Sequence, residues 1–220
     1  MTKPTDLSFP RRRKSTALDP VVVGILNAAT AEFAQYGLGG ARLERIIANT
    51  HTSKRMVYYH FGSKEGLYQA VLEHANTTVR FRDDTFDPDA GTALEALTQF
   101  TENAFESFSE RPDFARLITF ENLSGATHVK SSRLIAKLNQ RAMAQVKIII
   151  ARGQADGSLR KDITALDVYL NAVALCYYHV ANRAGNVAGG LLKSIKDDAF
   201  HAQRKRAVIE AATRYAMLIN

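Results

Sequence analysis

Residues 43–68, LERIIANTHTSKRMVYYHFGSKEGLY, exclude any long helix or strand, because two short apolar stripes are separated there by a polar turn. Leu43, Ile46 and Ile47 recur at helical spacing, and residues 49–52 interrupt them with turn-prone polar side chains. Ser53 is placed to cap a second short helix, in which Val57 and Phe61, four apart, share the inward face. Lys54, Arg55, Tyr58, Tyr59 and His60 then point elsewhere. A helix that reads DNA needs this division, with one side packed on partner helices and the other carrying long donors for base edges and phosphates. Ser63 restarts a helix just after Gly62, with Lys64 in its first turn. The pattern predicts a helix-turn-helix that runs straight into a further helix.

The string YYHFGSKEGLY resembles the DNA-binding end of the TetR family of bacterial transcription regulators. It combines a Tyr-X-His-Phe and a Ser-Lys-Glu cap at fixed spacing behind a helix-turn-helix. Length and all-helical patterning resemble that family as well. The segments RPDFARLITFENLSG and ARGQADGSLRKDI resemble a branch in which several members control catabolism of small nitrogen-containing rings. The resemblance implies a homodimer joined through its last two helices. It also implies a repressor that leaves a palindromic double-stranded DNA operator on binding a small-molecule effector, here an aromatic or nitrogen-heterocyclic metabolite. The candidate DNA contacts are Arg42, Ser53, Lys54 and Arg55, with Arg55 placed to read guanine. By the family's pattern Tyr58, Tyr59, His60 and Lys64 join them; for Tyr59 and His60 helix packing is the competing role. Where the family carries Ala-Gly-Val across the turn, this chain has Thr50, His51 and Thr52. Glycine there supplies left-handed backbone, a region in which histidine is enriched among the other residue types.

Charge supports the same end of the chain. Of a net +7, residues 1–70 hold ten Lys and Arg against five acids, and the rest hold nineteen against seventeen. Basic side chains that displace condensed counterions supply most sequence-independent affinity for DNA. With 220 residues, 46% of them apolar, a core is assured in one large domain or two small ones. The single cysteine, Cys176, excludes an intramolecular disulfide and suits a reducing cytoplasm. No run of about 18 apolar residues is present to span a membrane, nor an apolar segment that would make a signal peptide.

The fold expected is all-α. A flexible basic arm covers residues 1–18, a three-helix DNA-binding domain 19–72, and a helical effector-binding and dimerisation domain 73–220. Asp19 and Pro20 open the first helix, whose stripe Val22, Ile25, Leu26, Ala29, Phe33 and Tyr36 is core, and Gly37 ends it. Residues 83–91, acidic and broken by Pro88, read as a loop. Further helices are expected over about 94–110, from Pro112, over 131–155, over 165–184 and over 198–219. The 165–184 segment is apolar nearly all round and must be covered on more than one side. In the last helix Val208, Ala211, Ala212, Tyr215 and Leu218 form a seam that suits a dimer interface or an intrachain bundle.

Glu121 continues the stripe Phe114, Leu117 and Ile118, and a charge on an apolar face demands a partner. Either an Arg on a neighbouring helix pairs with it, or Glu121 and Asn122 anchor a ligand in a cavity walled by Phe105, Phe108, Phe120 and Tyr178. His128 and His179 are further candidates for that wall, or for core and surface. No catalytic or metal-binding residue and no cofactor is assigned: the six histidines fall at no ligand spacing, and no phosphate loop or nucleophile motif is present. The alternatives to a regulator are a non-specific architectural DNA binder and a helical dimer that binds a protein partner.

Overall fold

The computed structural model describes residues 19–50, 52–79, 86–193 and 198–218. The arm over 1–18, the turn residue His51 and the first part of the acidic loop lie outside them. Helix α1 (Pro20–Gly40) starts where the Asp19 carboxylate accepts the Val21 N–H at 2.9 Å, with proline at the position whose own N–H is not needed. Its helical path breaks at Gly37, at φ 62° and ψ 178°, and it buries Ile25, Leu26, Ala29 and Phe33. Tyr36, expected in the core, is instead exposed, because the Arg45 guanidinium lies 4.3 Å over its ring and holds it at the surface.

Helices α2 (Leu43–Ala48), α3 (Lys54–Phe61) and α4 (Lys64–Val79) follow. Between α2 and α3 the Thr50 N–H donates to the Ile47 carbonyl at 3.0 Å. Ser53 Oγ accepts from Met56 N at 3.3 Å, and Ser63 Oγ accepts from Gly66 N at 2.9 Å, so each serine opens its helix. A Cβ on Gly66 would lie 2.1 Å from the Phe61 carbonyl oxygen, so only glycine lets α4 begin this close behind α3.

The remaining helices are α5 (Ala93–Glu110), α6 (Pro112–Leu123), α7 (Thr127–Ser131), α8 (Arg133–Asp156), α9 (Ala165–Ala181), α10 (Arg183–Ala188) and α11 (Asp198–Ala216). A reciprocal cap of Thr92 and Glu95 starts α5. The helix expected over 131–155 is two helices. Ser132 Oγ accepts from Ile135 N at 3.2 Å and donates to Glu73 Oε1 at 2.6 Å, which starts α8 afresh and ties it to α4. The one expected over 165–184 likewise divides at Asn182 into α9 and α10.

Two cores hold the helices together. The larger joins Phe33, Ile46, Val57 and Leu67 to Phe105, Leu117, Cys176 and Val208, so the DNA-reading helices and the C-terminal helices share one packed interior. The second gathers Leu97, Val146, Ile149, Leu159, Val168 and Ala212. Val208 and Ala212 of the predicted seam therefore pack within the chain, whereas Ala211 and Leu218 are exposed. Helix α9 is not covered all round either: Leu166, Leu170, Ala174 and Tyr178, four apart, form an exposed ridge.

Candidate nucleic-acid interface and effector cavity

Helix α3 is pinned by Val57, which is fully buried, and shows its other side to solvent. On that side lie Ser53, Lys54, Arg55, Tyr58 and Tyr59, the last 78% exposed; Arg42 is exposed at the start of α2, and His60 and Lys64 are half-buried at the edge. The His60 ring meets Tyr59 at 5.1 Å and Phe61 at 6.1 Å, so it packs within the helix and also reaches its rim. Lys54 Nζ is held by Glu44 at 2.9 Å, which raises the lysine's pKa and lowers the carboxyl's. Arg42, Arg55 and Lys64 make no ion pair among the described residues and are available to an anionic partner.

A contact without a sequence signal fixes the angle of α2. Glu32 of α1, 8% exposed, accepts from Arg45 Nε and from the Arg42 N–H, each at 2.8 Å. Burial works to raise its pKa, but the Arg45 hydrogen bond and the Arg42 N–H outweigh it, and the carboxyl sits below its ordinary range. Arg45 is thereby occupied in holding the motif together.

Behind the motif, α4, α5, α6, α7, α8 and α9 line a partly open cavity of about 220 Å³. Its wall is mostly apolar, with Leu72, Phe100, Phe108, Phe114, Ile118 and Val173, and its polar groups are Asn76, Ser107, Glu121, Asn122, Asn139 and Tyr169. Phe108, Glu121 and Asn122 thus lie where the sequence pattern put them. Three other expected wall residues do not. Phe105 is buried but stacks on His179 at 5.0 Å, on the other side of α5; the Phe120 ring lies against Gly37 of α1; and Tyr178 is 53% exposed, on the outer ridge of α9. Asn76, Ser107 and Tyr169 carried no signal in the sequence, because a polar residue at one helical phase is read as surface until a neighbouring helix covers it.

Glu121, 1% exposed, has no arginine partner among the described residues. Its Oε1 accepts from the N–H groups of His128 at 2.6 Å and Val129 at 3.1 Å, at the start of α7, and Oε2 lies 3.3 Å from His128 Nδ1. The Tyr68 hydroxyl of α4 completes the set: burial, and then the Glu121 charge and hydrogen bond, push its pKa far up. Tyr68 in turn meets Phe33 of α1 and His128 edge-on, each at 5.0 Å. The α6 residues Phe120 and Glu121 therefore join the cavity wall to both α1 and α4.

Among the described residues no group of His, Cys, Asp and Glu is placed to hold a metal ion, and no helix is long and apolar enough to cross a membrane. A recognition helix on a buried anchor, followed directly by a helix that walls a partly open, mostly apolar cavity, suits a DNA-binding protein that responds to a ligand. Comparison with known proteins gives the family. Residues 25–71 match the family described as "Bacterial regulatory proteins, tetR family", and residues 94–211 match "Tetracyclin repressor-like, C-terminal domain". The chain is 34% identical over 159 residues to the HTH-type transcriptional repressor NicS of Pseudomonas putida, covering 72% of this chain and 75% of that one. Among solved structures, a tetR-family regulatory protein from Rhodococcus superposes with a TM-score of 0.73 at 18% identity, over 92% of this chain and all of that one. The transcriptional regulator SCO4942 of Streptomyces coelicolor does so with a TM-score of 0.66 at 27% identity, over 89% and 98%. The chain belongs to the TetR family and is a DNA-binding transcriptional regulator. These relatives are regulators of transcription, and nothing in the comparisons favours the architectural or protein-binding alternatives.

Proposed function

We propose that this protein is a homodimeric repressor that leaves a palindromic operator when a small aromatic or nitrogen-heterocyclic effector fills the cavity. The observation that carries the reading is the pair of joints from α6, Phe120 on Gly37 and Glu121 on Tyr68, which link the cavity wall to the helices that hold α3. Residues 19–72 then act as the reader and 73–220 as the effector-binding and dimerising part, working in the cytoplasm where the chromosome is. The name of the Pseudomonas relative, a repressor, supports the sign of regulation.

Arg42, Ser53, Lys54, Arg55, Tyr58, Tyr59, His60 and Lys64 make the DNA surface in this reading. Arg55 has the length and the freedom to meet a guanine edge, a contact worth about 1–3 kcal/mol of discrimination. Two copies of α3 enter successive major grooves when the dimer holds them about 34–36 Å apart, or at a greater distance the DNA can match. A ligand that binds the DNA-incompetent spacing more tightly shifts the balance, and a coupling of about 1–3 kcal/mol is typical. Binding of the purified protein to DNA from upstream of its own gene, against random DNA across a salt series, is the test. A preference of about 10³-fold or more, reduced at one base position by Arg55→Ala, is the expected result. Equal affinity for both DNAs would instead mark an architectural binder, and no affinity for either a protein-binding role.

A further inference from the structure

The polar groups of the cavity define the chemistry of its occupant, on the reading that the cavity is the effector site. Among the described residues no Lys, Arg or His lines it, and Glu121 does. The oxygens of that carboxylate are already met by the His128 and Val129 N–H groups, the His128 ring and the Tyr68 hydroxyl. An organic acid would give up its hydration beside a second carboxylate and find no counter-charge among the described residues, a loss that buried ions recover only with a partner.

Two other polar side chains are incomplete. Asn76 of α4, 7% exposed, donates Nδ2 to the Leu72 carbonyl at 2.8 Å, which fixes the orientation of its amide and leaves Oδ1 without a donor among the described residues. Ser107 of α5, equally buried, has a hydroxyl with no partner among them. Both lie on the cavity wall with their oxygens open to it, and a ligand that displaces water there loses affinity unless it replaces the hydrogen bonds, so one that completes both is favoured over one that completes neither. As for size, a dry cavity of about 150 Å³ takes benzene; the present one, near 220 Å³, takes a substituted ring or a small fused pair.

We infer that the effector is an uncharged ring compound whose N–H or O–H donates to Asn76 Oδ1 and which accepts from the Ser107 hydroxyl, and that organic acids are rejected. The recognition of the donor falls on Asn76, which stands on α4, the helix that follows α3 directly.

Calorimetric titration of the full chain with benzamide, N,N-dimethylbenzamide and benzoate tests this. The three share a ring and differ in charge and in the presence of an N–H. Benzamide is expected to bind about tenfold or more tighter than either of the others. Asn76→Leu, with its thermal melt checked for cooperativity, is expected to abolish the preference between the two amides. Ala104→Phe, which fills the cavity, is expected to abolish binding. Benzoate binding as tightly as benzamide, or a preference for benzamide that survives Asn76→Leu, would overturn the inference while Ala104→Phe still placed the binding in the cavity. No binding by any of the three, or binding untouched by Ala104→Phe, would overturn the effector-cavity reading beneath it.

Discussion

His179 shows what burial does to one titratable side chain. Its ring is stacked on Phe105 at 5.0 Å, and Nε2 has no hydrogen-bond partner among the described residues. Burial first, and then the nearby charges of Arg183, His201 and Arg204, push its pKa down to about 4. In the unfolded chain the imidazole titrates near 6.5. Between those values the unfolded state binds more protons than the folded one, so stability falls as pH drops from about 6.5 toward 4 and is unaffected above 7. One proton limits that slope to about 1.4 kcal/mol per pH unit. Melting temperatures of the protein and of His179→Gln over pH 4.5–7.5 measure it; a variant that keeps the wild-type slope would show that other groups set it. At this scale the sequence was legible wherever one helix decides the outcome. Val57 faces inward and Tyr59 outward because they lie two residues apart on α3, and Phe108, Glu121 and Asn122 follow the phase of their helices. Phe105, Phe120 and Tyr178 were not legible, because the direction in which a face looks depends on which helix packs there. The partners of Glu121 were hidden for a related reason: they are backbone N–H groups of a five-residue helix that has no apolar period to announce it.

At the scale of elements, the joint between α1 and α6 is where the proposed link from cavity to motif runs. Gly37 was legible as a helix breaker. Its other role was not, since Phe120 comes from more than eighty residues away. A Cβ at position 37 would stand 2.8 Å from Cδ1 of Phe120, and the backbone there, at φ 62° and ψ 178°, suits glycine alone. Gly37→Ala is therefore expected to cost about 1–3 kcal/mol in folding free energy from the backbone alone. The clash adds a second effect, because α6 must shift away from α1 and loosen the contact through which the cavity acts in the proposed function. Denaturant unfolding reads the first. The second is read as the effector concentration needed to release DNA, which is expected to rise. Phe120→Leu in the same chain is expected to restore the release and to leave most of the backbone cost in place. If the double variant is no better than the single one at releasing DNA, the Phe120 contact does not transmit the signal.

The proposed homodimer must hold two copies of α3 at a fixed separation, and each chain needs an exposed surface for that. The all-helical fold was legible from periodicity. For the α11 seam periodicity left a dimer interface and an intrachain bundle both open, and Val208 and Ala212 take the second course, packing within their own chain, where α11 lies against α5 and α9. What remains exposed is the α9 ridge of Leu166, Leu170, Ala174 and Tyr178 and, on α11, which packs on α9, the small residues Ala199, Ala207 and Ala211. A ridge of large side chains next to small ones gives ridges-into-grooves packing for two such pairs related by a two-fold axis. Leu170→Glu places a charge at the centre of that contact while leaving every buried position of α9 untouched. The variant is expected to sediment as a monomer with unchanged helical content. Its affinity for the operator should fall by about 10²-fold or more, because the second half-site then binds from solution and no longer as part of the same particle. Binding to random DNA, which rests on charge around α3, should change much less. A dimer that persists in Leu170→Glu would put the interface elsewhere; a monomer that keeps full operator affinity would show that one recognition helix suffices, and that the spacing between two is not what the effector controls.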